Sequence, residues 1–313
     1  MIENKILIVL PCFNEENFVD NALGNLNKIL EREDVFLLAI DDGSTDNTMN
    51  ILKNDNRVDF ILKSNQNQGL ARVFSSAQNF VIDNKFDFMI IYDCDSQYPT
   101  SQIEELIQEA ENNDIVIGCR NFKNNDVFSY SKNLLQRIGS ASISNIAGLK
   151  IKDVTSGFRL FNYHALNKII ITDTFTYTID SILQSKNLGL KIETIDLKTF
   201  NKTRSSRLFK NNFQYLYLTL KTIFNSFLIY KEKSITRFLY LINIFISLIA
   251  LSRFFIPYFR DGQNPGNVQS LIFGTFLILF TILINMLINQ KIQNKKIDSL
   301  LSQSKYSNHT LVI

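Results

Sequence analysis

Residues 1–208 predict a doubly wound α/β fold on a mostly parallel sheet, and three observations carry that reading. Short apolar runs recur: KILIVL (5–10), VFLLAI (35–40), VDFILK (58–63), FDFMIIY (86–92) and DIVIG (114–118). Amphipathic stretches separate them in the βαβ rhythm of a parallel sheet, and the runs are apolar at odd and even positions alike, as strands covered on both faces must be. Each run also ends in a polar cluster. PCFNEE (11–16) follows the first, DDGSTDNT (41–48) the second, NQNQGLAR (65–72) the third, DCDSQYP (93–99) the fourth and CRNF (119–122) the fifth. Ligands gather at the carboxyl ends of strands in such sheets, so all five clusters fall on the ligand edge. Singly, each reads more simply as helix capping, with Asn14, Ser44 and Ser101 as ordinary N-cap residues. Five on one edge read as a site.

Two long apolar stretches follow, FLYLINIFISLIALSRFFIPYF (238–259) and VQSLIFGTFLILFTILINMLIN (268–289). At ~1.5 Å per residue each makes a helix of about 33 Å, which matches a hydrocarbon core of roughly 30 Å. Arg253 is the one charge inside, near enough to an end to snorkel. The link RDGQNPG is short and turn-forming, so the pair reads as a membrane hairpin rather than as two buried core helices. Lys231, Lys233 and Arg237 precede it and Lys291, Lys295 and Lys296 follow it; the positive-inside rule then places both termini and the catalytic part in the cytoplasm. Ahead of the hairpin, Phe209, Phe213, Leu216, Leu220 and Phe227 recur at helical spacing, as in an interfacial helix on the inner leaflet, with core packing as the alternative. The expected division is 1–208 catalytic, 209–234 juxtamembrane, 235–293 hairpin and 294–313 a polar, loosely ordered tail.

Composition excludes several classes. The formal net charge of +3, from 33 basic and 30 acidic side chains, gives no global field for gripping nucleic acid. Cys12, Cys94 and Cys119 are isolated, so neither a disulfide framework nor a zinc site is indicated, and a reducing compartment fits. His164 and His309, the two histidines, read as surface residues, which leaves a serine or cysteine hydrolase without its base. The opening apolar stretch is too short for a signal peptide.

Within DCDSQYP, Asp93 and Asp95 leave the same face of an extended segment. With an amide oxygen from Gln97 they make a hard oxygen site suited to Mg2+ or Mn2+, completed by phosphate and water; a plain Asx turn is the alternative. Asp41 and Asp42, at another strand end, are placed to accept from a nucleobase N–H or ribose hydroxyls.

The segments IVLPCFNEE, DDGSTDNT, NQG and DCDSQYP, in this order, resemble the inverting glycosyltransferases of family 2, which have the GT-A nucleotide-diphospho-sugar transferase fold. DVTSGFRLF (153–161) and the paired C-terminal apolar stretches resemble its polyprenyl-phosphate branch. The resemblance implies that Pro11, Phe13, Asn14, Glu15, Gly69 and Asp41 or Asp42 hold the nucleoside, and that Asp93, Asp95 and Gln97 carry the metal and diphosphate. It places Arg120, Lys132, Ser156 and Arg159 near the acceptor phosphate, and makes Ser206 with Arg207 a mobile loop over the donor. Two departures stand out: Lys132 and Gln136 occupy positions usually held by Arg and Ser, and Arg204 replaces a loop glycine. Lysine keeps the charge and loses the bidentate fork.

A lipid phosphate is already an anion at neutral pH and attacks an anomeric carbon without a general base; it needs cations that position it in line with the leaving diphosphate. The sequence therefore predicts an integral membrane enzyme in contact with membrane lipids, with a homo-oligomer among the expected states. It would transfer a hexose with inversion from a UDP-glucose or GDP-mannose type donor to undecaprenyl or dolichyl phosphate on the cytoplasmic face. Alternatives are transfer to another membrane-associated glycan or lipid, or a nucleotide-binding scaffold without activity. A processive polysaccharide synthase is disfavoured, because a chain without tryptophan lacks a QxxRW-type motif.

Overall fold

All five apolar runs fold as strands: β1 (Ile6–Cys12), β2 (Val35–Asp41), β3 (Phe60–Lys63), β4 (Phe88–Ile91) and β5 (Ile115–Cys119). The computed structural model describes residues 4–120, 130–171, 176–198, 232–261, 268–302 and 309–312. Helices α1 (Val19–Leu30), α2 (Thr48–Lys53), α3 (Leu70–Asn84) and α4 (Ile103–Ala110) alternate with the strands. In α1 the buried residues Val19, Ala22, Leu23, Leu26 and Ile29 form one helical stripe, the face laid on the sheet. Then come α5 (Tyr130–Ala147), β6 (Arg159–Asn162), α6 (Tyr163–Lys168), α7 (Tyr177–Leu188) and β7 (Ile192–Asp196). Leu7, Ile8, Val9 and Leu10 are all fully buried, so both faces of the central strand are interior.

The strand order is β7-β5-β6-β4-β1-β2-β3-β8, where β8 is Thr310–Leu311. β1 pairs in parallel with β2 on one side and β4 on the other, so the winding reverses at β1 and a crevice opens between the carboxyl ends of β1 and β4. β6 is antiparallel to both β4 and β5. Its insertion leaves β5 running with β4 and brings the loop ahead of Arg159 to the same edge. Topology thus delivers the first four polar clusters, Cys119 and Arg120 of the fifth, and the DVTSGFR loop to one rim.

Two compact units divide the chain, Met1–Ile223 with Ser299–Ile313, and Phe224–Asp298. The second carries α8 (Glu232–Asp261) and most of α9 (Val268–Ser302). Val268–Leu287 is a 20-residue stretch with mean hydropathy 2.3, long and apolar enough to cross a membrane; the apolar stretch of α8, Tyr240–Arg253, is shorter. The interfacial-helix reading of 209–231, and Ser206 and Arg207, lie outside the described residues.

The tail differs from expectation. Residues 309–312 are ordered on the catalytic sheet, where β8 pairs antiparallel with β3 and Val312 N–H donates to the Ile61 carbonyl at 2.8 Å. An exposed edge strand offers unpaired backbone groups, and two residues of tail satisfy them. His309, expected at the surface, is 2% exposed.

Candidate active site at the β1–β4 crevice

The loops after β1, β2 and β3 are joined as one body on one side of the rim. Asn14, at φ 55°, occupies the left-handed region that asparagine tolerates. Its N–H donates to Ser44 Oγ at 2.9 Å, and its Oδ1 accepts from Thr45 N–H at 2.8 Å. Glu15, buried, donates its N–H to Thr48 Oγ1 at 2.8 Å. The capping reading of Asn14, Ser44 and Ser101 gives way: the N-caps are Phe18, Asn47 and, for α4, Gln102, none with a side-chain cap bond. Phe13, beside them after Pro11, is 40% exposed and offers a ring face at the rim.

The paired aspartates divide their work. Asp42 accepts from the N–H groups of Gln68 and Gly69, both at 2.8 Å, and so fastens the loop after β3. Asp41, fully buried, accepts from Ser44 N–H with Oδ1 at 3.0 Å, while its Oδ2 has no partner in the protein. Each carboxylate oxygen has two lone pairs, so both residues keep capacity to accept from a further donor group. Gly43 is required here: at φ 79°, with a Cβ 2.5 Å from the Gln66 carbonyl carbon, a side chain would separate the two loops.

Across the crevice, Asp93, Asp95 and Gln97 are half-buried. Gln97 Nε2 donates to Asp95 Oδ2 at 2.8 Å and its backbone N–H to Oδ1 at 3.3 Å, so its amide orients Asp95. Ser96 between them has φ 54°. Two of the three non-glycine residues with positive φ among the described residues, Asn14 and Ser96, therefore stand on this rim, where strained backbone is held for a purpose.

Gly157 packs against Asp93, and sequence reasoning did not single it out. Tyr98 OH accepts its N–H at 3.2 Å and Tyr177 OH donates to its carbonyl at 3.1 Å, so two buried tyrosines grip both sides of one residue. Burial pushes the Tyr98 hydroxyl up to about 12, which keeps it neutral. A Cβ on Gly157 would lie 3.1 Å from Asp93 Oδ2. Gly157→Ala should lower kcat by about 10–100-fold through displacement of that carboxylate, with far-ultraviolet circular dichroism unchanged; wild-type turnover would show that Asp93 tolerates the shift.

Two expected phosphate ligands have other work. Arg120 is committed to Asp153: Nε to Oδ2 at 2.6 Å, Nη2 to Oδ1 at 3.1 Å, and Nη2 to Thr155 Oγ1 at 2.8 Å. Burial opposes charge on Asp153, yet the Arg120 guanidinium outweighs it and holds the carboxyl below its ordinary range. Because the folded-state value is depressed, this pair contributes stability that is complete above about pH 4 and is lost as pH falls through the folded value. Asp153→Asn should flatten the acid limb of a stability-against-pH curve, and an unchanged limb would contradict the assignment.

Arg159 is fully buried. Its guanidinium donates to the carbonyls of Ser156 (2.8 Å), Thr178 (2.7 Å) and Val154 (2.8 Å) and to Ser181 Oγ (3.1 Å), and stands 6.0 Å over the Tyr177 ring. It binds the 154–158 loop to α7 and does not face the rim. Ser156 is buried with its Oγ unpartnered, as is Gln136 Oε1 on α5. Lys132 falls on α5, with its side chain outside the described residues.

The residues present fit a divalent cation through two hard carboxylates backed by a glycine. Among the described residues no cluster of three or more His, Cys, Asp or Glu could hold a metal, so any ion would need ligands from the donor as well.

The sequence profile of Glycosyl transferase family 2 matches residues 7–170. The undecaprenyl-phosphate mannosyltransferase of Micrococcus luteus is 22% identical over 202 residues, 62% of this chain and 82% of that one. The UDP-N-acetylglucosamine–dolichyl-phosphate N-acetylglucosaminyltransferase of Methanococcus voltae is 25% identical over 223 residues, 64% and 87% of the two chains. Glucosyl-3-phosphoglycerate synthase from Mycobacterium tuberculosis, solved with Mn2+, uridine diphosphate and glucosyl-3-phosphoglycerate, shares the fold with TM-score 0.56 at 16% identity, over 72% of this chain and 79% of that one. The profile spans more than half of the sequence and includes every strand that builds the β1–β4 crevice, and the chain belongs to glycosyl transferase family 2 and is a glycosyltransferase.

Proposed function

We propose that this enzyme transfers a hexose, with inversion, from a nucleoside-diphosphate sugar to a polyprenyl phosphate at a membrane surface. The observation that carries the reading is the crevice itself: Asp93 and Asp95 on one wall, and on the other the spare Asp41 oxygen beside an exposed Phe13. The nucleoside lies along Phe13, Glu15, Asp41 and Asp42, and the diphosphate reaches Asp93 and Asp95. Mg2+ or Mn2+ held by Asp93 and Asp95 would supply Lewis-acid stabilisation of the leaving diphosphate. Gln97 keeps Asp95 in position, and Gly157 keeps Asp93 in position. A phosphate acceptor arrives as an anion, so no residue has to take its proton; Lys132 and Ser156 are assigned to orient it, and Ser206 with Arg207 to the loop over the donor.

The acceptor class rests on the two relatives whose names specify undecaprenyl and dolichyl phosphate. The membrane reading rests on the second unit, where Phe245 (65%), Phe259 (79%) and Leu279 (66%) are exposed in numbers water does not favour. The pairing of β8 with β3 supports a reading in which the chain returns to the side it left, as in a hairpin over 238–259 and 268–289. The basic residues flanking the two apolar stretches support a cytoplasmic face for the catalytic unit.

The test incubates membranes containing the enzyme with a panel of labelled sugar nucleotides, with and without added polyprenyl phosphate and chelator. One donor should label the lipid fraction, dependent on the lipid and lost with chelator. Label that appears in polysaccharide instead would favour a glycan acceptor.

A further inference from the structure

We propose that His309, carried by the C-terminal strand, is a positioning residue of the donor's nucleoside subsite. The proposal rests on the nucleoside reading of Asp41 and Asp42. Antiparallel pairing sets Thr310 against Lys63, so His309 falls at the carboxyl end of β3, on the rim that holds the donor side. There its Nδ1 lies 2.9 Å from Ser76 Oγ, and its Nε2 lies 3.4 Å from Asp42 Oδ1. His309 is 2% exposed and Ser76 fully buried. The Nε2 makes no hydrogen bond, so a buried polar atom is aimed at the carboxylate that fastens Gln68 and Gly69.

A strand that only covers an edge places no demand on residue 309, because edge pairing uses main-chain groups and Val312 already supplies one. An imidazole there does something no apolar residue would. In the tautomer that accepts the Ser76 hydroxyl at Nδ1, the ring carries its proton on Nε2, which faces Asp42. A small movement of the carboxylate closes the contact into a hydrogen bond to an anion, which fixes the Asp42 rotamer and, through it, the loop at Gln68 and Gly69. Residues separated from the rest of the subsite by both C-terminal helices thus complete it.

The experiment measures binding of UDP and of GDP to the full chain in detergent by calorimetry, together with donor KM and kcat, for wild type, His309→Ala and His309→Gln. Glutamine keeps an N–H near the Nε2 position. His309→Ala should weaken the nucleotide that wild type binds by about tenfold and raise donor KM by a similar factor, with a smaller change in kcat. His309→Gln should recover most of the loss, and thermal midpoints should agree within a few degrees. Wild-type binding by His309→Ala overturns the proposal and leaves the nucleoside reading intact, as does an equal loss in both variants accompanied by a fall in midpoint, which marks a structural role only. Binding of neither nucleotide by wild type overturns the nucleoside reading, and this proposal with it.

Discussion

Asp93→Asn or Asp95→Asn should lower sugar transfer by about 10³-fold, the scale on which removal of a preorganised charge-stabilising group is felt. Both carboxylates are half-buried at a rim rather than set in the core. The two variants should differ in detail. Asp95 is held by its own loop through Gln97, and the amide substitute competes for the same hydrogen bonds. Asp93 lies against the Gly157 backbone, where an amide NH2 meets a space tight enough to turn it. Turnover of the full chain, with the thermal midpoint as a control, checks the claim; near-normal turnover in either variant removes the metal and diphosphate role from that residue.

Arg159→Ala should destabilise the catalytic unit by about 3–5 kcal/mol, a large share of the roughly 5–15 kcal/mol total for a domain. Three carbonyls and one hydroxyl lose their donor at once, and a side-chain-sized void opens beside Tyr177. Arg159→Lys should fare little better, since one ammonium does not span acceptors on both the 154–158 loop and α7. Chemical denaturation of the full chain measures the effect. A variant as stable as wild type that loses only acceptor use would restore the phosphate-binding role that the sequence suggests.

Legibility in the sequence varied with how local each signal was. The five parallel strands were readable because a strand buried on both faces is a continuous apolar run. β6 was not, being four residues long and opening on a charge, and nothing in its own sequence announces insertion between β4 and β5. That insertion brings Gly157 under Asp93, and so the glycine's role was hidden as well. A basic residue near a strand end looks the same whether it meets a ligand or a buried carboxylate, which is why Arg120 and Arg159 read as phosphate ligands. For Arg159 a signal existed: it shares a strand face with Phe161, and in a sheet covered on both sides every such face is interior. β8 is two residues long, below any periodicity, and its pairing partner lies more than two hundred residues away.

The central claim is that the nucleophile is a phosphate that needs no base, and comparison of polyprenyl phosphate with the corresponding free polyprenol tests it most directly. Purified full chain, supplied with the donor that labels its lipid fraction, should glycosylate the phosphate and leave the alcohol untouched, because among the described residues His164 is exposed on α6 and His309 is engaged with Ser76, so neither is placed to deprotonate an alcohol. Comparable transfer to the free alcohol would contradict the account.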